Sequence, residues 1–443
     1  MAEGVDRRGF IGAGAAAVAA GAVSPDVGLA AAGAARRRRK RKRQPRIGSG
    51  GTPMSLEDVH ALAVAEGRGQ PIGILDLAAV DQNLALLADF GQRNGMAVRP
   101  ALKSFRSARL AGYVIQRLPE PRGLIFDLMK VDEVVAHSPQ GTDLLMGYPP
   151  SFGEVADHLA RRPPRGQRPH TLRILIDSLP LAEHIGRLVQ STPRRLPIDV
   201  ALEFDVGMGR GGMNDEAELG GVLSVLRANR RALRLGAVLG YDGHATLRGD
   251  ASYRRAVAGQ AQSAYNGLLA ALAERNDGLY DPETLVRNGP ASSNYRNWVG
   301  GPANEMSPGS AILRAGYLDG GFDTDGLAHA LHAAGPVRRI TSDHPSVPVT
   351  GETPPDASEM EIIVNAAGGA GEVARPAGAR GDDLSGGGDA LVVPKGSVDL
   401  GDYVLYRPTQ SEDGIRRFNT LTAVREGRVL RRWAVEDRPG RTA

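Results

Sequence analysis

The feature that most constrains this 443-residue chain is a repeated alternation of apolar runs and helical patterns from residue 70 onward. Uninterrupted apolar runs predict buried strands at Ala97–Lys103, Gly123–Leu128, Asp143–Gly147, Leu172–Asp177, Ile198–Phe204, Ala237–Tyr241, Leu285–Asn288 and around Asn304–Met306. Helix-period patterns separate them at Leu77–Arg93, Ser104–Leu118, Phe152–Arg161, Leu181–Leu188, Asp215–Arg230 and Tyr253–Arg275. Strands buried on both faces and joined by helices belong in a parallel sheet. Eight of them across about 240 residues have the count and length of a (β/α)8 barrel, an α/β fold. A doubly wound open sheet is the alternative.

The barrel is assigned to residues 70–308, because the pattern changes after Pro308. Short segments at Met360–Val364, Ala390–Val393, Asp402–Tyr406, Thr420–Arg425 and Val429–Val435 are separated by Gly-rich turns and predict an all-β domain over 309–443. Gly368–Gly388 reads as an exposed loop.

Residues 1–35 have another character. Asp6-Arg7-Arg8-Gly9-Phe10-Ile11, a weakly apolar Ala/Gly/Val stretch and the small residues Ala30–Ala35 have the layout of an export signal. It resembles twin-arginine signals, whose machinery carries folded proteins out of the cytoplasm, so an exported, periplasmic or extracellular location is expected. Residues 36–69 read as a basic, flexible linker that opens with RRRRKRKR at 36–43. That run fits a charged signal end, a tail leaning on anionic polymers or lipids, or a solvated linker.

The overall charge of +4 is therefore local: residues 44–443 carry 44 basic against 47 acidic side chains. A mildly acidic body argues against a nucleic-acid-binding domain. No apolar run is long enough to suggest a membrane span. The absence of cysteine excludes disulfides, thiolate metal sites and a cysteine nucleophile.

Barrel chemistry collects where strands end. Lys103 closes Val98-Arg99-Pro100-Ala101-Leu102-Lys103. A strand-end lysine in a buried setting suits Schiff-base chemistry, and is otherwise simply solvated. Arg210 lies in Glu203-Phe204-Asp205-Val206-Gly207-Met208-Gly209-Arg210-Gly211-Gly212-Met213, where glycines permit a tight turn that holds a guanidinium over the barrel mouth. Its fork suits a carboxylate or phenolate oxygen; a solvent-facing arginine on a turn is the plainer alternative. Tyr241 ends the sixth strand and is placed to lie against a planar ligand, with His244 nearby as a structural or proton-carrying histidine. The loops Ser292-Ser293-Asn294 and Gly309-Ser310 follow the seventh and eighth strands, where barrels frequently bind phosphate.

In this order (RPxxK, DVGMGRGG, YDGH, a small-residue loop and NEMSPGS), with GDYVLYRPTQ and VREGRVLRRW late in the chain, the sequence resembles the D-threonine aldolase and D-serine dehydratase group. These are pyridoxal-phosphate (PLP) enzymes of fold type III, with the alanine-racemase type of barrel. The likeness covers residues 70–435.

The resemblance implies that Lys103 holds PLP covalently. It implies that Arg210 reaches the cofactor ring oxygen or the substrate carboxylate, and that Tyr241 lies beside the ring. Ser292, Ser293, Asn294, Gly309 and Ser310 fall where the phosphate cup is expected. It further implies an amino-acid substrate and a homodimer.

Two departures stand out. Ala101 and Phe105 occupy places where the family usually has histidine. In the late metal motif, Gln410 stands where the family has histidine, with Glu412 two residues on. An amide is a poor ligand for zinc or manganese, so no tightly held transition metal is expected there, while Glu412 could still bind an oxygen-loving cation. Three readings stay open: a D-amino-acid lyase acting on D-3-hydroxy acids, with Glu412 or His344 replacing the metal; an amino-acid racemase; and a PLP-binding protein without catalysis.

Overall fold

Apolar runs with no polar alternation bury both faces of a strand, and the structure follows that logic closely. It is a computed structural model that describes residues 51–436, apart from 162–165, 167–168, 192–196, 247–249, 323, 325, 342–355, 366–370 and 383–388. The segment expected to be an export signal, the RRRRKRKR run and His344 lie outside the described residues, as do parts of the 368–388 loop.

The first strand, β1 (Ile72–Asp76), is followed by β2 (Ala97–Val98), β3 (Arg122–Ile125), β4 (Thr142–Met146), β5 (His170–Ile176), β6 (Ile198–Glu203), β7 (Leu233–Leu239), β8 (Val286–Ala291) and β9 (Glu305–Ser307). Strands β2 to β9 form one parallel sheet in the order β2-β9-β8-β7-β6-β5-β4-β3. A parallel bridge between Ala101 and Leu124 joins the two ends, so the sheet closes into a barrel wrapped by helices. All eight predicted strands are there. The first is shorter than predicted, because the chain turns at Pro100 into a 3-10 turn, Leu102–Ser104, that carries Lys103.

The second sheet joins β1 to β10 (Leu331–Thr341), β11 (Glu359–Val364), β12 (Gly371–Arg375), β13 (Arg380–Asp382), β14 (Asp389–Pro394), β15 (Tyr403–Pro408), β16 (Thr420–Arg425) and β17 (Arg428–Ala434). Its pairings are antiparallel except β1 with β16.

This arrangement corrects two boundaries. The 36–69 linker contains the helix Leu56–Gly67, started by a capping box at Ser55 and Asp58. Residues 72–76 belong to the second sheet and not to the barrel. Val59, Leu62 and Ala63 of that helix share a core with Ile72, Ile74, Ala334, Leu405 and Val424. The sequence misleads here for a physical reason. Ile72–Asp76 is buried on both faces and runs straight into the helix Leu77–Arg93, so locally it looks like another barrel βα unit.

The barrel interior carries a charge cluster that periodicity does not reveal. Arg99 is fully buried. Its Nε donates to Glu305 Oε2 at 2.6 Å and its Nη2 to Asp143 Oδ2 at 3.2 Å. Arg122 adds to Glu305 and Arg173 to Asp143. Burial alone would raise the Glu305 carboxyl, but Arg99 and Arg122 outweigh it and hold the group below the ordinary carboxylate range. Asn288 continues the network upward, donating to Glu305 Oε2 at 3.3 Å and to Ser307 Oγ at 2.9 Å.

Candidate active site

The C-terminal ends of the barrel strands open onto a cavity of about 490 Å³. Lys103 follows β2, Arg210 follows β6, Tyr241 follows β7, Ser292 and Ser293 follow β8, and Gly309 and Ser310 follow β9; all seven line this cavity. Five contiguous strands of the barrel order thus supply them. Asn288 and Ser307 line it too, so the buried charge network reaches the cavity wall.

Each side chain is held by local chemistry. The loop carrying Arg210 closes on itself through Asp205 N–H to Met213 O and Met213 N–H to Glu203 O, both at 2.9 Å. Asp205 Oδ1 accepts the N–H groups of Gly207 and Gly209, which folds the loop back. Gly212 must be glycine: its φ is +95°, and a Cβ there would lie 2.8 Å from Asp205 N. The Arg210 guanidinium lies over the Tyr241 ring, 4.4 Å from its centroid. That cation–π contact fixes one against the other.

Glu203, at the end of β6, backs the arginine with Oε1 3.6 Å from Arg210 Nη2. Burial pushes the Glu203 carboxyl up to about 7, against the opposing pull of Arg210. Tyr241 is also raised, chiefly by burial, with Glu412 contributing.

The loops after β8 and β9 are tied together. Ser292 Oγ accepts the N–H groups of Gly309 at 2.9 Å and Ala311 at 3.1 Å. These two bonds fix the Ser292 hydroxyl at the cavity wall, with its own proton left to donate. The Tyr317 hydroxyl bonds with Ser310 and Ser292, and burial raises it to about 12, so it stays neutral. Gly309 fits closely, since a Cβ would come within 2.5 Å of Ser104 Oγ. The Lys103 ammonium sits over the Phe126 ring, 5.2 Å from its centroid.

Asn294 departs from expectation. It is buried and does not line the cavity: its Nδ2 donates to Asp242 Oδ2 at 2.6 Å, and its Oδ1 accepts from Asn297. With Trp298 Nε1 on the same carboxylate oxygen at 2.7 Å, it props the residue next to Tyr241. Its amide is spent there, so it leaves the proposed cup. His244 does not line the cavity either.

The β domain closes one side. Gln410, Glu412 and Asp413, at the start of the short helix Ser411–Arg416, line the same cavity. Among the described residues, no group of three His, Asp or Glu is disposed to hold a metal ion. The donors present here are an amide and two carboxylates; the imidazole of the expected motif is missing, and the carboxylates are donors of the kind that oxygen-preferring cations take.

Sequence reasoning missed Tyr317, Asn288 and Ser307 as lining residues, and it quoted Glu203 without giving it a part. Only Glu203 had a signal, a carboxylate at a strand end seven residues before the arginine.

The family model for the alanine racemase N-terminal domain matches residues 75–315. Among solved structures, the D-threonine aldolase from Filomicrobium marinum is similar, with TM-score 0.66, 18% identity, and 82% of this chain and 94% of that chain covered. The D-threo-3-hydroxyaspartate dehydratase from Delftia sp. HT23 gives TM-score 0.61 and 16% identity, with 82% and 97% covered. An alanine racemase from Bacillus anthracis gives TM-score 0.57 and 16% identity, also with 82% and 97% covered. No curated protein matches the chain in sequence. With more than half of its length matched, this chain belongs to the alanine racemase N-terminal domain family, the barrel of the fold type III pyridoxal-phosphate enzymes.

Proposed function

We propose that this protein is a PLP-dependent lyase acting on D-3-hydroxy amino acids, by aldol cleavage or deaminating elimination. One observation carries the reading: an amine, a forked cation, a tyrosine ring and a hydroxyl- and amide-lined cup share one cavity. That donor set fits the cofactor. Lys103 would hold its aldehyde carbon, Ser292, Ser293, Gly309 and Ser310 its phosphate, and Arg210 and Tyr241 its ring. When bound, PLP supplies an electron sink for charge developing at the substrate Cα.

The chain's own groups supply the rest. The Lys103 amine is the base that takes or returns the Cα proton. Arg210 binds a carboxylate or phenolate oxygen with two parallel N–H groups, held in place by Glu203 and the Tyr241 face. Glu412 is half-buried beside Tyr241 and Tyr317; as a carboxylate it would take a proton from a substrate β-hydroxyl in aldol cleavage, and in its protonated form it would give one to the departing hydroxyl in elimination. In this reading it does without a metal what an ion does in metal-dependent relatives. Turnover should therefore survive chelation.

Racemisation is the second reading, favoured by Gln410 in the place of the metal-binding histidine, since proton exchange at Cα needs no group at the β-hydroxyl. Incubation with D-threonine and D-serine separates the two. Aldehyde plus glycine, or keto acid plus ammonia, supports the lyase, and accumulation of the L-enantiomer alone supports the racemase.

A further inference from the structure

The segment Ser104–Ser107 joins Lys103 to the helix Ala108–Ile115; Phe105 anchors it in the core, but its own side chains do not cap the helix start. Ser107 is the N-cap residue of that helix, yet its side chain makes no capping bond and its Oγ is buried without a partner. Arg106 adopts φ of +43°, a left-handed conformation that a non-glycine residue keeps only when something enforces it. The enforcement comes from the far end of the chain. Glu436 N–H donates to Arg106 O at 2.9 Å, and the Glu436 carboxylate accepts the N–H of Ala108. Just before it, Trp433 of β17 packs against Tyr113 of the same helix at 5.6 Å between ring centroids.

We propose that Glu436 is a positioning residue for Lys103: it caps the helix in place of Ser107 and clamps the Arg106 backbone, so the amine is presented from a fixed segment. The side-chain acceptor satisfies a helix-start N–H that would otherwise be orphaned. The significance of Lys103 rests on the cofactor assignment above, whereas the clamp itself does not.

The electrostatic surroundings make the clamp sensitive to pH. Glu436 hydrogen-bonds with Glu133 and faces Lys130, both from the turn and helix after β3; Lys130 also pairs with Glu133 at 3.7 Å. Burial and the neighbouring Glu133 raise the Glu436 carboxyl to about 7, opposed by the Ala108 N–H and Lys130. A carboxyl raised on folding contributes stability that is full below its unfolded value, near 4.5, and is lost as pH rises through about 7. The clamp should therefore loosen on the alkaline side.

The test uses purified full-length protein loaded with PLP, comparing wild type, Glu436→Ala and Glu436→Gln. Amide hydrogen exchange of the 104–110 peptide is read between pH 5 and 8, corrected for intrinsic exchange, together with the share of Lys103 carrying pyridoxyl after borohydride reduction. Glu436→Ala should speed exchange about tenfold and lower the labelled share. Glu436→Gln keeps an acceptor oxygen, so it should retain protection near wild type but lose the decline that wild type shows as pH rises from about 5 through 7. Unchanged exchange in Glu436→Ala overturns the proposal, and so does a glutamine variant as unprotected as the alanine one. Lost protection in Glu436→Ala with no pyridoxyl on wild-type Lys103 would uphold the clamp and sink the cofactor assignment instead.

Discussion

On the barrel side of the cavity, Lys103, Arg210, Tyr241, Ser292 and Ser310 each follow a strand whose place is set by the closed sheet. On the β-domain side, Gln410, Glu412 and Asp413 stand on one short helix after β15, and the first of them replaces an expected imidazole. The barrel side carries the amine, the guanidinium and the hydroxyls that the proposed function assigns to a phosphorylated aldehyde, while the β-domain side carries two carboxylates and an amide. Under the proposed function, cofactor chemistry and substrate choice would be borne by different elements.

The comparison breaks first if the barrel side is not a rigid platform. Arg99→Met leaves the buried Glu305 with Arg122 alone and the half-buried Asp143 with Arg173 alone, which should cost about 3 kcal/mol, the low end for breaking a buried pair. Denaturant unfolding checks it. A loss below about 1 kcal/mol would mean that the cavity floor does not depend on this network.

Next in size is Arg210→Lys. A lysine loses the fork and much of the contact over Tyr241, so turnover should fall about a hundredfold while some cofactor stays bound. Absorbance of bound PLP beside turnover on whichever D-amino acid is accepted tests this. Equal turnover would move the anchoring role elsewhere on the rim.

A smaller effect concerns Glu203. Its carboxyl is raised by burial to about 7, so its contribution to stability is full below about 4.5 and is lost as pH rises through about 7. Glu203→Gln should remove that decline, which is on the order of 2 kcal/mol. Thermal unfolding at pH 5 and pH 8 reads it: wild type should weaken relative to the variant at pH 8. Parallel curves would show that Glu203 ionises normally beside Arg210.

The barrel was largely legible because uninterrupted apolar runs, such as Ile198–Phe204 and Ala237–Tyr241, can only be buried strands at that spacing. Strand-end residues followed from it, and seven of the eight candidates line one cavity. Asn294 was misplaced because sequence gives the loop but not the direction of a side chain, and Asp242 claims its amide from 52 residues away. The placement of β1 was hidden for a related reason. Its partners Ala334 and Leu421 lie far along the chain, and pairing over such separations leaves no local trace. The short strands β12 and β13 are interrupted by glycine and charge, and carry too little alternation to stand out. The buried Arg99–Glu305 pair spans 206 residues and is equally invisible locally.

The central claim is that Lys103 holds the cofactor, and borohydride reduction followed by peptide mapping tests it most directly. Purified protein should be yellow, and pyridoxyl should appear on the Lys103 peptide in wild type and vanish in Lys103→Ala. Label on another lysine, or on none after incubation with PLP, would contradict the account.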